Sequence, residues 1–139
     1  MGITTGPRVT CKHCGTEHPR EHYYTNGKNG VIRNCRDCRN RFTREAKRRL
    51  REKVIQHYGG KCACCGEDRY VFLNIDHING GGNAEYKAQG PDLARRLHRN
   101  GYPEGFQILC WNCNNAKHLL GSLDLCPHKL EQVDLPSHK

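Results

Sequence analysis

Two Cys-x2-Cys pairs bracket an Asp-His step in this chain: Cys62-Ala63-Cys64-Cys65, then Ile75-Asp76-His77-Ile78, then Leu109-Cys110-Trp111-Asn112-Cys113-Asn114. Thiolates at that spacing suit a tetrahedral zinc, and four of them fill its shell, so Cys62, Cys65, Cys110 and Cys113 form a structural ligand set. Harder chemistry remains inside the bracket. Asp76 and Asn114 are oxygen donors of the kind that hold Mg²⁺ or Mn²⁺ and leave the ion open to water and a phosphate. His77, adjacent to Asp76, can take a proton from an attacking water. A carboxylate, a carboxamide and an imidazole around one hard cation are the parts needed to hydrolyse a phosphodiester.

A second four-thiolate set lies upstream. Cys11-Lys-His-Cys14 and Cys35-Arg-Asp-Cys38 are twenty residues apart, close to the paired spacing of a zinc knuckle. His13, His18 and His22 are spare donors beside four cysteines already in register. Cys64 and Cys126 have no assigned role, and the two-residue gap of a knuckle favours Cys65 over Cys64 as ligand. Two structural zincs answer a further need, because a 139-residue chain that is only 35% hydrophobic, with 15 glycines, has little to build a core from. The first residues carry no apolar signal core and no run is long enough to span a membrane, so a reduced cytoplasmic setting and no membrane partner are expected.

The formal charge is +9 with neutral thiols. Eight thiolates on two zincs lower it to about +5, which is still basic. Between Arg39 and Lys53 stand eight basic residues against Glu45 and Glu52. That density suits a polyanion partner, although a solvated helix face is the commoner meaning of such a run. Arg44, Arg48 and Arg51 share a face at three- and four-residue steps and are the candidate DNA contacts on this segment, with Lys117 as a further one near Asp76.

The elements that must position these residues follow from the pattern. Thr25-Asn-Gly-Lys-Asn-Gly30 is turn chemistry between Tyr23-Tyr24 and Val31-Ile32, predicting a hairpin between the first knuckles. Phe42, Ala46, Leu50 and Val54 recur every four residues in a segment free of Pro and Gly, with Tyr58 next in step, predicting a helix closed by Gly59-Gly60. Residues 70–76 alternate as a strand ending on Asp76 and His77. Gly80-Gly81-Gly82 breaks regular structure, residues 91–99 make a small inserted helix opened by Pro91, and 105–109 is the returning strand. Residues 113–120 form a last helix closed by Gly121, with Asn114, Lys117 and His118 on one face. Trp111 is expected to pack over the zinc, His98 to lie at the surface, and the proline-marked stretch from Cys126 to be a loosely held tail. His118 has two readings: a contact to the scissile phosphate, or a cation favoured near a helix C-terminus.

The order Cys-x2-Cys, Asp-His, Cys-x2-Cys-Asn over residues 61–121 resembles the HNH, or ββα-metal, endonucleases of the zinc-stapled kind, and is similar to the endonuclease VII type of phage recombination nuclease. The resemblance implies a small α+β zinc-stapled protein: an N-terminal zinc module (1–38), a basic linker helix (39–60), an HNH module (61–121) and a C-terminal tail (122–139). It implies an enzyme that cuts or nicks DNA through one Mg²⁺ or Mn²⁺, encoded by a phage or mobile element and acting in the host cytoplasm. Asp76 corresponds to the family's metal-binding Asp, His77 to its general base and Asn114 to its last metal ligand. Cutting both strands would call for two copies acting together, as in a homodimer. Two positions depart from the pattern. Gly105 stands where many HNH sequences place the Asn that holds the base-orienting loop, leaving Asn100, Asn83 or a backbone carbonyl for that task. Lys117 stands where endonuclease VII has an acid, which favours a general HNH nuclease over a dedicated junction resolvase. The rival expectation from another class is a zinc-stabilised DNA-binding protein without catalysis. A carboxylate aimed at phosphate would repel it, which argues against that rival.

Overall fold

The computed structural model describes residues 7–27 and 30–133. The protein is a small α+β chain with two two-stranded antiparallel sheets and, among the described residues, five α-helices. It divides into two compact units, 1–48 and 49–139. No helix of the described residues is long and apolar enough to cross a membrane.

In the first unit, β1 (Arg8–Thr10) pairs with β2 (Glu17–Pro19) across the Cys11–Cys14 knuckle. The knuckle is a tight turn in which the Cys11 amide donates to Thr16 O and the Gly15 amide to Cys11 O, both 2.9 Å. Gly15 closes it at φ +71°, a conformation that L side chains adopt only at a cost. The hairpin predicted around residues 25–30 is a single bridge, Thr25 to Val31, and Lys28 and Asn29 lie outside the described residues. Cys11, Tyr23, Cys35 and Cys38 make the buried core of this unit, flanked by Val9, Val31 and Phe42. Tyr23 ties its hydroxyl to Val9 O at 2.6 Å, so its ring can be buried with the polar end satisfied.

Helix α1 (Arg36–His57) begins three residues before the predicted start, because Cys35 and Cys38 lie on its first turn. Its four-residue apolar rhythm does not make a continuous stripe. Val54 and Ile55 are fully buried, Phe42 and Leu50 are half-buried, and residues 43–49, Ala46 included, are exposed.

In the second unit the Cys62–Cys65 turn repeats the first knuckle. Its Cys62 amide donates to Glu67 O at 2.8 Å and its Gly66 amide to Cys62 O at 3.0 Å. A 3-10 turn (Tyr70–Phe72) leads into β3 (Leu73–His77), which pairs with β4 (Phe106–Cys110) in the register Leu73 to Cys110, Asp76 to Gln107 and His77 to Phe106. Helix α4 (Trp111–Leu120) follows at once, capped by Cys110, whose sulfur accepts from the Cys113 amide at 3.5 Å, and closed by Gly121 at φ +79°. Leu73, Ile108 and Leu109 from the sheet and Ile55 from α1 pack with Cys62, Cys64, Cys110, Cys113 and Cys126 into one core.

Four expectations need correction here. Gly80 to Gly82 do not simply break structure: Gly81, at φ +89°, caps a helix, α2 (Gly82–Gln89). The following helix, α3 (Leu93–Arg99), starts after Asp92 rather than at Pro91. The segment after Gly121 is ordered through a 3-10 turn (Leu123–Leu125) and α5 (Pro127–Val133), with Cys126 buried in the core, while 134–139 lie outside the described residues. Trp111 is 60% exposed and does not cover the thiolate cluster, because α4 turns its first residue outward.

Candidate functional site

Two cysteine groups have the geometry of zinc sites. The four sulfurs of Cys11, Cys14, Cys35 and Cys38 lie within 4.8 Å of one another, as do those of Cys62, Cys65, Cys110 and Cys113. Four sulfurs about 2.3 Å from one tetrahedral ion stand about 3.8 Å apart. Cys65 and Cys110 are 3.7 Å apart, so the donor set fits zinc in number, type and spacing. The thiols are electrostatically unequal. Hydrogen bonds from the Thr16 backbone and side chain pull Cys14 down to about 6, while burial pushes Cys38 up to about 12. In the second group burial raises Cys62, but backbone amides of Cys65, Cys110 and Cys64 outweigh it and bring it to about 7, whereas burial drives Cys113 upward. Backbone amides also lower Cys11, so each cluster holds at least one sulfur shifted toward the thiolate a cation needs.

β3 ends beside a cavity of about 700 Å³ lined by Asp76 and His77, the loop 78–83, and Asn114, Lys117 and His118 of α4. Asp76 is the one carboxylate among its lining residues. The sheet register explains its setting: Gln107, directly opposite on β4, donates Nε2 to Asp76 Oδ2 at 2.8 Å. Lys117 Nζ donates to the same oxygen at 2.6 Å and to His77 O at 2.6 Å, one turn along α4 from Asn114. Both of these hydrogen bonds to Asp76 converge on Oδ2. Lys117, expected on DNA, lies against the end of β3 and lines the cavity.

His77 is gripped on three sides. Its ring contacts Phe106, its cross-strand neighbour, with centroids 4.8 Å apart. Its Nε2 hydrogen-bonds Glu85 of α2. A carboxylate only accepts, so Nε2 carries the hydrogen, and in the neutral imidazole Nδ1 is the nitrogen with the lone pair. Gly82 lies against Nδ1, where an added Cβ would stand 2.9 Å away. Glu85 is anchored in turn by Arg96 of α3, Nη2 to Oε1 at 3.0 Å, and Arg96 Nη1 donates to Gly90 O at 2.9 Å. The His77 hydrogen bond, helped by Arg96, holds Glu85 below the usual carboxylate range against its partial burial. Neither Asn83, Asn100 nor a carbonyl orients the imidazole: Glu85 does. The sequence signal for it was present in the proline-free run Gly82-Asn-Ala-Glu-Tyr-Lys-Ala-Gln89, which has good helix formers, but the three glycines before it hid the helix.

The basic helix is only partly available. Arg44 and Arg48 are exposed, whereas Arg51 is half-buried, donates Nη2 to Leu73 O at 2.5 Å and stacks over Tyr70. His118 is exposed at the cavity edge and His98, at the surface, bonds the Tyr102 hydroxyl at 2.8 Å. Comparison with family models, curated proteins and solved structures returned no match to the chain.

Proposed function

We propose that the chain is a divalent-metal-dependent HNH endonuclease that hydrolyses DNA phosphodiester bonds, with residues 61–121 as its nuclease module and both four-thiolate groups as structural zinc sites. The observation that carries this reading is the convergence of Asp76, Asn114 and a His77 oriented by Glu85 on one open cavity. Asp76 Oδ1 and the Asn114 carboxamide would be the oxygen donors for Mg²⁺ or Mn²⁺, whose chemistry there would be to stabilise charge on the phosphate and the leaving 3′ oxygen. His77 Nδ1 takes the proton of the attacking water, the resulting imidazolium is stabilised by ionised Glu85, and the oxygen of that water attacks phosphorus as the 3′ oxygen departs. Lys117 holds the Asp76 carboxylate and the His77 carbonyl in fixed relation. His118 stands at the cavity edge within the face that a phosphate would approach.

One observation favours the rival, a zinc-stabilised DNA-binding protein without catalysis: the Lys117 ammonium already neutralises Asp76 at 2.6 Å, and a cation must compete with it. Supercoiled plasmid incubated with purified protein separates the two. The nuclease yields nicked or linear product only with Mg²⁺ or Mn²⁺, and His77→Ala loses about 10²–10⁴ in rate while still binding DNA. Binding without product in either metal would establish the rival. Cleavage by His77→Ala at the parent rate would remove His77 as base.

A further inference from the structure

Cys64 and Cys126 belong to neither four-thiolate set, yet both are buried, at 8% and 1% exposure. Their sulfurs and that of Cys113 lie within 4.8 Å of one another, so Cys113 is shared between this group and the set of Cys62, Cys65 and Cys110. His128, on the first turn of α5, places Nδ1 3.2 Å from the Cys113 sulfur. Three separate stretches of chain, the knuckle, the start of α4 and the turn into α5, thus bring three sulfurs to one point, with His128 beside the Cys113 sulfur as the nearest fourth donor. We propose that this cluster is a two-zinc centre in which the Cys113 thiolate bridges the ions. One ion is held by Cys62, Cys65, Cys110 and Cys113, the other by Cys113, Cys64, Cys126 and His128. The inference rests on the first set being a zinc site.

Charge and geometry both favour it over ordinary buried thiols. Zinc on four thiolates leaves a net charge of −2 in the core. A second Zn²⁺ that takes up two more thiolates and a neutral imidazole adds nothing to that charge, so the larger centre is no harder to bury than the smaller one. Donors bound at 2.0–2.1 Å (nitrogen) and 2.3 Å (sulfur) to one tetrahedral ion stand about 3.6 Å apart. The His128 to Cys113 contact therefore opens by about 0.4 Å as its hydrogen bond gives way to an Nδ1–zinc bond. Cys126 and Leu123 are the residues of 122–130 that reach the core, while Leu125 and Leu130 are half exposed, so a metal on Cys126 would add to a thin apolar anchor.

The test is native mass spectrometry and metal analysis of the full chain purified reduced in the presence of zinc. Three zincs per chain are expected, one in the N-terminal set and two here. Cys64→Ser and Cys126→Ser should each hold two. A parent protein with two zincs would overturn the second ion and leave the four-thiolate reading standing, whereas one or none would overturn both. A third zinc that survives both substitutions, for example at His18 and His22, would also overturn the proposal, as would a denatured chain lighter by two hydrogens from a Cys64–Cys126 disulfide. Should the variants fail to fold, cadmium-substituted parent protein decides. Two resonances coupled through a shared sulfur are expected, and uncoupled ones refute the bridge.

Discussion

Replacing Glu85 tests the orientation of the imidazole without touching it. Glu85→Ala removes the acceptor on His77 Nε2 and the partner of Arg96 together; the three side chains are 23%, 18% and 12% exposed, so the contacts are only modestly screened. A hydrogen bond to a charged group is worth about 1.5–3 kcal/mol. If that energy holds the reactive ring orientation, its loss lowers the single-turnover rate by about 10- to 150-fold at 1.36 kcal/mol per tenfold, less than the loss of His77 itself. Arg96 keeps the carbonyls of Gly90 and Gln89, so the stability cost lies near the low end of about 1–3 kcal/mol for an orphaned polar group. Glu85→Gln, which retains an acceptor, should fall between parent and Ala. The assay is nicking of supercoiled plasmid at saturating protein, alongside DNA affinity and a thermal melt. Affinity should stay constant while the rate falls. The sign of the pH dependence follows from the depressed Glu85. Its contribution is complete above the unfolded value of about 4.3 and is lost as pH falls through the lower folded value, which a carboxyl NMR titration reads directly. A Glu85→Ala protein that cuts at the parent rate, or a Glu85 that titrates at or above 4.3, would refute the reasoning.

Gly82→Ala should slow nicking, because its Cβ would meet His77 Nδ1 at 2.9 Å and Cε1 at 3.2 Å and the ring must shift to relieve it. An unchanged rate would show that the ring is free to move. Chelation of zinc should abolish helical circular dichroism, because binding free energy here is folding free energy, and full helicity in excess chelator would show that the cores stand without metal. Arg44→Gln with Arg48→Gln should reduce the magnitude of the slope of log K against log salt by about 1.8, at roughly 0.9 per lost phosphate contact. An unchanged slope would put the duplex elsewhere. Arg51→Gln should act on the melt instead, since its guanidinium serves the Leu73 carbonyl.

What was legible in the sequence was whatever short spacing encodes. Knuckle pairs, the strand ending at His77 and the helix after Cys113 depend on neighbours within a few residues, and they stand where the pattern put them, to within a residue or three at the ends. Contacts set by folding were not legible. Glu85 reaches His77 only because α2 doubles back over β3, and nothing local distinguishes it from Glu45 or Glu52 on a solvated helix. The Arg51 contact to Leu73 O was hidden because charge runs look alike whether the arm meets water or a carbonyl two elements away. Cys126 sat in a polar, proline-marked stretch whose composition suggested a tail, and its place in the core is set by Cys64 and Cys113, which lie far from it in sequence.

Eight of the fifteen buried apolar residues among those described are cysteines, and this inverts the usual map of mutational tolerance. In most small domains the interior accepts volume-conserving swaps at about 1.5 kcal/mol or less. If the proposed zincs hold this interior, its shape rests on donor atoms rather than volume, so no swap of similar size at Cys11, Cys38, Cys62 or Cys110 is conservative, and drift must run through the exposed turns of α1 and the outward residues of α4. Such a protein can change what it touches far more readily than it can change how it is held together.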